Sequence, residues 1–339
     1  MIVPIYILGI ESSCDDTSAS VICDGKVLSN LIANQEIHKS FGGVVPELAS
    51  RAHQQNIIPV VNQAILNANI DKKQLNAIAY TRGPGLLGSL LVGSSFSKSL
   101  SMGLNIPLIE VNHMQAHLLA HFIEDCGETK PNFPFIGITI SGGHTQIVLV
   151  KDYFKMEIIG ETLDDAIGET FDKCGKMLGL PYPAGPHIDK ESKSGDIKKY
   201  SFTKPKVEDL NYSFSGLKTG FMRFLQKEKQ LNENFIESEL NNLCASLQHT
   251  ITEILYEKVI KAIKQTGINR IVFGGGVSCN SGIINKFNKN EKYENYKSFF
   301  PKFEYTTDNA AMIAMVGFLK YQNSDFSSLE KGAEARFKF

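Results

Sequence analysis

An α/β protein built from two related lobes is the fold this sequence predicts, and three features of the chain predict it. Short apolar runs alternate with longer amphipathic ones from end to end, the pattern of strands connected by helices. The run around Leu8-Gly9-Ile10 opens a succession of strand, small polar turn, strand, hairpin and strand, and the same succession reopens at Ile136-Gly137-Ile138. Three glycine-rich loops, from Arg82 to Gly88, Ser141 to Gly143 and Gly274 to Gly276, each follow an apolar run. Duplicated α/β lobes that each offer a turn at their strand ends make a cleft suited to a nucleotide. A chain of 339 residues can bury two such cores, placed at 1–133 with 310–339 and at 134–309.

The elements follow in order. Ile5 to Ile10 reads as a buried strand and runs into the polar turn Glu11 to Ser18. Ala19 to Cys23 and Val27 to Ala33 are strands joined by the hairpin dipeptide Asp24-Gly25. Pro46 stands where a proline suits the first turn of a helix reaching about Ala68. Asn76 to Thr81 is a strand, Ser89 to Gly103 a helix, and Ile106 to Val111 another strand, followed by a helix rich in Leu, Ala and Phe. In the second half, strands are expected at Phe135 to Ile140, Gln146 to Val150 and Met156 to Gly160, then a helix from about Leu163 to Leu178. Lys190 to Lys206 carries six lysines against two acids without periodicity, which predicts an exposed insertion. Helices follow at Thr219 to Lys229 and about Glu237 to Gln265, with strands at Arg270 to Phe273 and Phe299 to Thr306. Thr307 to Met312 opens a last long helix, and the tail from Asn323 is polar.

Composition excludes several classes. The formal net charge of −1 argues against a large autonomous nucleic-acid surface and leaves room for a local patch. Apolar runs stay well short of the 18 or so residues that suggest a membrane span, and the N-terminus shows no signal-peptide pattern, so a cytoplasmic protein is expected. Cys14, Cys23, Cys126, Cys174, Cys244 and Cys279 are scattered, none in a CxxC pair, and read as reduced thiols.

The chemistry concentrates at the loops. His113 and His117 are four residues apart at the start of a predicted helix, so their rings share one face and can bind one divalent metal. Asp308 is a candidate third ligand; it also suits a helix N-cap, a role for which Asn309 competes. Ser141-Gly142-Gly143 and Gly274-Gly275-Gly276 follow strands, where glycine lets backbone N–H groups approach an anion; each is equally compatible with a tight turn that binds nothing. Neither matches a P-loop. Asp172 and Asp189 are candidates for ribose hydroxyls, or else solvated helix carboxylates.

Taken together, these segments resemble a known family. The matching stretches are Ile10-Glu-Ser-Ser-Cys-Asp-Asp-Thr17, Val45-Pro-Glu-Leu-Ala-Ser-Arg-Ala-His53, Thr81 to Gly88, Asn112 to His117, Ser141-Gly-Gly-His-Thr145, Phe171-Asp-Lys173, Pro181-Tyr-Pro183, Phe214 to Thr219, Gly274 to Asn280 and Thr307-Asp-Asn309. In that order they are similar to the bacterial TsaD (Gcp, YgjD) family of tRNA adenosine threonylcarbamoyltransferases, nearly end to end. The resemblance implies the duplicated two-lobed fold of actin, sugar kinases and heat-shock chaperone ATPases. It implies transfer of the threonylcarbamoyl group from threonylcarbamoyl-AMP to N6 of the adenosine 3′ of the anticodon (position 37) in tRNAs reading codons that begin with A, with release of AMP. It makes His113, His117 and Asp308 the ligands of one divalent metal, iron(II) or zinc. It assigns Thr139, Ile140, Ser141, Gly142, Gly143, Asp172, Gly185, Asp189 and Asn280 to the adenylate. The loop Gly274 to Asn280 is expected to wrap the adenosine or phosphate, its glycines admitting the ligand. It puts Glu11 where the family has an acidic residue near the reacting group. It also implies a paralogous partner of the same fold and a small ATPase of the same pathway. One departure stands out: Ala184 occupies a position where the family usually has glycine.

Other readings are a metalloprotease, an ATPase or sugar kinase of the same fold, and a scaffold without activity. A zincin protease needs Glu directly after the first histidine of HExxH, where this chain has Met114. A scaffold would be expected to lose the His pair and Asp308, which this chain keeps.

Overall fold

The computed structural model describes residues 3–124 and 129–339; Cys126 lies outside them. The other five cysteines are free thiols. The chain forms two compact units, Met1–Lys130 with Pro301–Phe339, and Pro131–Phe300. The return to the first unit thus comes at Pro301, ahead of Asp308, where the sequence division puts it at 310.

The first unit contains β1 (Tyr6–Glu11), β2 (Thr17–Cys23), β3 (Lys26–Ala33), α1 (Pro46–Asn67), β4 (Ala77–Gly83), α2 (Leu87–Leu104), β5 (Leu108–Asn112) and the short α3 (His113–Leu119). Its sheet has the order β3-β2-β1-β4-β5. β1 and β2 pair antiparallel, as do β2 and β3, while β4 runs parallel to β1 and β5 parallel to β4. The β2–β3 turn is Asp24-Gly25 with φ of 48° and 83°, a two-residue turn whose twist matches the strands. Side chains alternate across β1: Leu8 and Ile10 join a core with Ile57, Val61 and Ala64 of α1. Gly9, on the opposite face, leaves room for the backbone at Ala310 and Ala314 of the last helix, which lies against β1 and β4. That proximity brings the start of the last helix to the end of β1.

The second unit contains β6 (Phe135–Ile140), β7 (Thr145–Asp152), β8 (Lys155–Glu161), α4 (Ile167–Met177), α5 (Gly185–Ser192), α6 (Ser215–Leu231), α7 (Phe235–Thr266), β9 (Arg270–Gly274), α8 (Ser281–Glu294) and β10 (Lys297–Phe299); α9 (Ala310–Gln322) belongs to the first. Its sheet, β10-β9-β6-β7-β8, repeats the first: the opening strand is central, with two antiparallel strands on one side and two parallel strands on the other. The internal repeat read from the sequence is realised in these two sheets. Phe171, Phe214, Phe221, Leu247, Ile251, Phe273 and Phe287 anchor the core of this unit.

Two expectations need correction. The strand expected over Phe299 to Thr306 is only Lys297–Phe299, after which Phe303–Tyr305 closes as a 3₁₀ turn. Pro301 has no N–H to continue a ladder. The stretch Lys190 to Lys206 is not an exposed insertion throughout. Beyond α5 it lies along α7, where Asp196 N–H donates to Asn242 Oδ1 (2.8 Å) and Tyr200 N–H to Ser246 Oγ (3.2 Å). Phe202 is buried against Phe221, and Lys199 and Lys204 pair with Glu239 and Glu257. Among the described residues, no helix is long and apolar enough to cross a membrane.

Candidate metal centre and nucleotide-binding loops

The centre in the first unit begins with the cap of α3. Asn112 closes β5, and its Oδ1 accepts hydrogen bonds from the N–H groups of Met114 (3.0 Å) and Gln115 (3.1 Å). The helix therefore starts at His113, and one turn later comes His117, with the two Nε2 atoms 3.2 Å apart. Asp308 Oδ1 lies 3.3 Å from each of them. Asp308 is available for this because Asn309 caps α9, accepting from Met312 N–H at 3.1 Å, which resolves the competition between the two. Donors held about 2.1 Å from one tetrahedral ion stand about 3.4 Å apart. These three atoms fit that spacing, and three protein ligands is the number that leaves a catalytic metal an open position.

The support behind the donors comes from the turn after β1. Glu11 is fully buried, with Oε2 3.0 Å from His113 Nδ1. That oxygen also accepts from Thr81 Oγ1 (2.6 Å), and Oε1 accepts from Ser13 N–H. A carboxylate on Nδ1 fixes the tautomer that presents the Nε2 lone pair to a metal. The turn itself is pinned by His53 of α1, whose ring bonds Thr17 Oγ1 at 2.7 Å and Cys14 O at 3.0 Å. The Cys14 carbonyl can only accept, so Nε2 carries the proton and Nδ1 accepts from Thr17. Burial lowers the His53 pKa, which keeps this neutral form. By contrast, His117 Nδ1 is buried without a hydrogen-bond partner.

The electrostatics favour a cation. Burial disfavours charge on His113, but Asp308 and Glu11 outweigh it and raise its pKa well above the ordinary value. Burial likewise opposes the Asp308 carboxylate, and the two histidines more than offset this. Asp16 is pushed up to about 7 by burial and by Asp15, Asp308 and Glu11. This surplus of carboxylates around two imidazoles is what a divalent ion would neutralise. Glu11 being committed to His113, and Met114 being apolar and buried, the centre has no general base placed as in a zincin protease.

The second unit gathers the remaining candidates in three groups. Thr139 and Ile140 are fully buried and end β6, with Thr139 Oγ1 3.4 Å from Gln146 Oε1, so the turn beyond them is what remains accessible. In the turn Ser141 to His144, Gly142 and Gly143 are exposed, and a Cβ on either would meet nothing within 4 Å. Asp172 accepts from Ala184 N–H at 2.7 Å and also from Gly185 N–H, tying α4 to the start of α5; burial raises its pKa. Asp189, one turn along α5, accepts from Ser281 Oγ (2.7 Å), Ser281 N–H (3.2 Å) and Gln248 Nε2 (3.0 Å). Gln248 Oε1 in turn accepts from Asn280 Nδ2 (2.7 Å), while Asn280 Oδ1 caps α8 through Ile283 N–H (3.1 Å). Gln248 thus joins Asp189 to Asn280. The sequence reading missed it, because a lone glutamine inside a long helix carries no signal.

Two positions have a structural explanation. Gly275 has φ of 92°, and a Cβ there would come within 2.5 Å of Ile140 O, so its own fold requires glycine before any ligand does. The methyl of Ala184 is buried and points at Gly175 of α4, where a Cβ would collide with it. That methyl occupies core space left by Gly175. The Phe214 to Thr219 motif is likewise bound internally. Asp164 accepts from Ser213 Oγ, Ser215 Oγ and the N–H groups of Phe214 and Ser215, and Lys218 pairs with Asp165 at 2.6 Å.

Comparison with known proteins follows the same lines. A family model described as TsaD, tRNA N6-adenosine threonylcarbamoyltransferase, matches residues 26–315. A protein of that name from Christiangramia forsetii is 62% identical over 335 residues, 99% of this chain and 98% of the relative. Another from Riemerella anatipestifer is 59% identical over 332 residues, covering 98% and 97%. Among solved structures, HypF from T. kodakarensis superposes with a TM-score of 0.63 at 14% identity, over 95% of this chain and 49% of that one. Component A of (R)-2-hydroxyglutaryl-CoA dehydratase from Acidaminococcus fermentans gives 0.55 at 14% identity, over 94% and 99%. At that identity they speak for the fold alone, the two-lobed fold of actin, sugar kinases and heat-shock ATPases.

Proposed function

We infer the reaction from the fact that this chain belongs to the TsaD family of tRNA N6-adenosine threonylcarbamoyltransferases. It is a transferase that moves the threonylcarbamoyl group of threonylcarbamoyl-AMP to N6 of the adenosine 3′ of the tRNA anticodon, releasing AMP. The donor is already activated, so the protein's task is to orient a weak amine nucleophile and stabilise developing charge. The single observation that carries the site assignment is the convergence of His113 Nε2, His117 Nε2 and Asp308 Oδ1. These three hold one divalent ion, iron(II) or zinc, which supplies Lewis-acid polarisation when bound.

The other residues act by position. Glu11, buried away from substrate, keeps the proton on His113 Nδ1 and so acts as a positioning residue. The N–H groups of Gly142 and Gly143 take the adenylate phosphate, in a turn that the Ser141 N–H closes on His144 O at 2.9 Å and that projects from the strand end fixed by Thr139 and Ile140. Asp172 orders Gly185 at the start of α5, and Asp189 and Asn280, joined by Gln248, hold the adenosine. The near-neutral charge supports weak tRNA binding by the chain alone, hence help from other proteins; the family resemblance makes these a paralogous partner of the same fold and a small ATPase, and places the reaction in the cytoplasm. The test is reconstitution with threonylcarbamoyl-AMP and an unmodified tRNA reading codons that begin with A, followed by mass analysis of the nucleosides. Threonylcarbamoyladenosine should form with wild type and not with Asp308→Ala; AMP release without tRNA modification would favour an ATPase-like enzyme instead.

A further inference from the structure

The segment beyond α9, residues 324–339, is a strap on the first unit. Ser327 N–H donates to Leu108 O (2.8 Å) and Ser327 Oγ accepts from Glu110 N–H (2.7 Å), covering the free edge of β5. Lys331 pairs with Glu110 at 2.8 Å. Arg82, at the end of β4, donates through Nε to Gly332 O (3.0 Å) and pairs with Glu334 (3.1 Å). Its guanidinium also sits 4.5 Å from the ring centroid of Phe337. Glu334 N–H returns to Arg82 O at 2.9 Å, and Gly85 N–H donates to Ala335 O at 3.2 Å. A Cβ on Gly83 would collide with the strap backbone at Glu334. The strap then reaches the start of α3, where Phe337 O accepts from Asn112 Nδ2 at 3.2 Å.

Asn112 has one amide with two ends, and both are used. Its oxygen caps the helix that begins with His113, and its –NH₂ is held by the strap. We propose that the 324–339 strap is a positioning element of the metal centre: the Phe337 carbonyl, by holding the Asn112 amide, fixes the first turn of the helix that carries His113 and His117. The strap acts from a second side as well, since Arg82 follows Thr81, whose hydroxyl holds Glu11 on His113. The proposal rests on His113, His117 and Asp308 being metal ligands.

Asn112→Asp is the discriminating variant. It keeps an oxygen to cap α3 but sets a carboxylate oxygen against the Phe337 carbonyl. Its added negative charge should by itself favour a cation, so a loss of affinity cannot come from charge. Zinc affinity is read by competition with a chromophoric chelator, and the thermal midpoint is read in excess chelator. Asn112→Asp should bind zinc about tenfold more weakly or worse, the range seen when a ligand loses its support. Its metal-free midpoint should fall by no more than a few degrees, about the effect of one lost hydrogen bond, so that the loss of zinc affinity is read in a folded protein. A chain ending at Lys331 keeps the β5 edge contacts and should show the same loss; if that chain fails to fold, Asn112→Asp decides alone. Wild-type zinc affinity in Asn112→Asp overturns the proposal. A wild-type protein that binds no zinc or iron(II) overturns the ligand reading itself, a different result from unchanged affinity in the variant.

Discussion

The turn after β1 and the turn after β6 occupy the same place in the two repeats, yet they are built in opposite ways. Glu11, Ser12 and Ser13 are buried, and the turn they open is clamped by His53 from a helix. Ser12 even sits where a side chain on Gly93 would go. Its counterpart, Ser141 to His144, has two exposed glycines with open space where side chains would be. Duplication supplied the same backbone twice. Side chains commit one copy to holding the His113 ring, and their absence leaves open space at Gly142 and Gly143 in the other.

The largest expected effect separates the two halves directly. His117→Ala should drop metal content from about one ion per chain to near zero, and with it the transfer reaction by about 1,000-fold. Asp172→Asn should leave metal content at the wild-type level by elemental analysis, and loss of metal there would mean that the two units do not work independently. Next comes Gly275→Val, which forces a β-branched residue to φ of 92° with a Cβ 2.5 Å from Ile140 O. It should destabilise the protein by about 3 kcal/mol or more; a thermal midpoint unchanged from wild type would return this glycine to the ligand.

Glu11→Gln keeps the shape of the buried turn and removes its charge. Metal affinity should weaken 10- to 100-fold in a chelator competition, because His113 loses its carboxylate. Gly142→Ala, in the open turn, should fold with a midpoint close to wild type but bind threonylcarbamoyl-AMP roughly fivefold more weakly, because it keeps the N–H yet adds a methyl in the space a bound phosphate would use. Equal binding would mean that this turn is only a connection. Smallest is Asp164→Ala, which strips four hydrogen bonds from an exposed site and should cost about 1 kcal/mol after allowance for solvent screening. Those bonds outweigh partial burial and hold Asp164 down to about 2, below its unfolded value. Its contribution is therefore fully present above about pH 4 and fades as pH falls towards 2. Denaturation midpoints of wild type and variant should converge over that window.

Much of this was legible in the chain because it is local. Four-residue spacing puts His113 and His117 on one helical face, and Asp24-Gly25 forces a hairpin wherever it stands between strands. Asp308 was legible as an acid at a helix start, a cap or a ligand, and the cap goes to Asn309. What stayed hidden depends on contacts between residues far apart in sequence. Asn112 and Phe337 meet although 225 residues separate them in sequence, and Gln248 bonds Asp189 and Asn280 from the middle of a long helix. The lysine-rich stretch looked solvated because its partners, Glu239, Asn242 and Ser246, lie in a helix that comes later. The second lobe was seen as a repeat of the first, but nothing local reveals that Gly275 serves Ile140.

Ala184 and Gly175 carry a last consequence, about the order in which a sequence can change. Only one methyl fits between α4 and the start of α5, and here position 184 supplies it. From this chain, Ala184→Gly can be accepted first, leaving a gap of a single methyl that Gly175→Ala then refills. Taken the other way round, Gly175→Ala meets the Ala184 methyl and displaces the start of α5, which carries Gly185 and Asp189. The two positions form a ratchet: each single-glycine state is reachable through the double-glycine state, and the double-alanine state is a dead end.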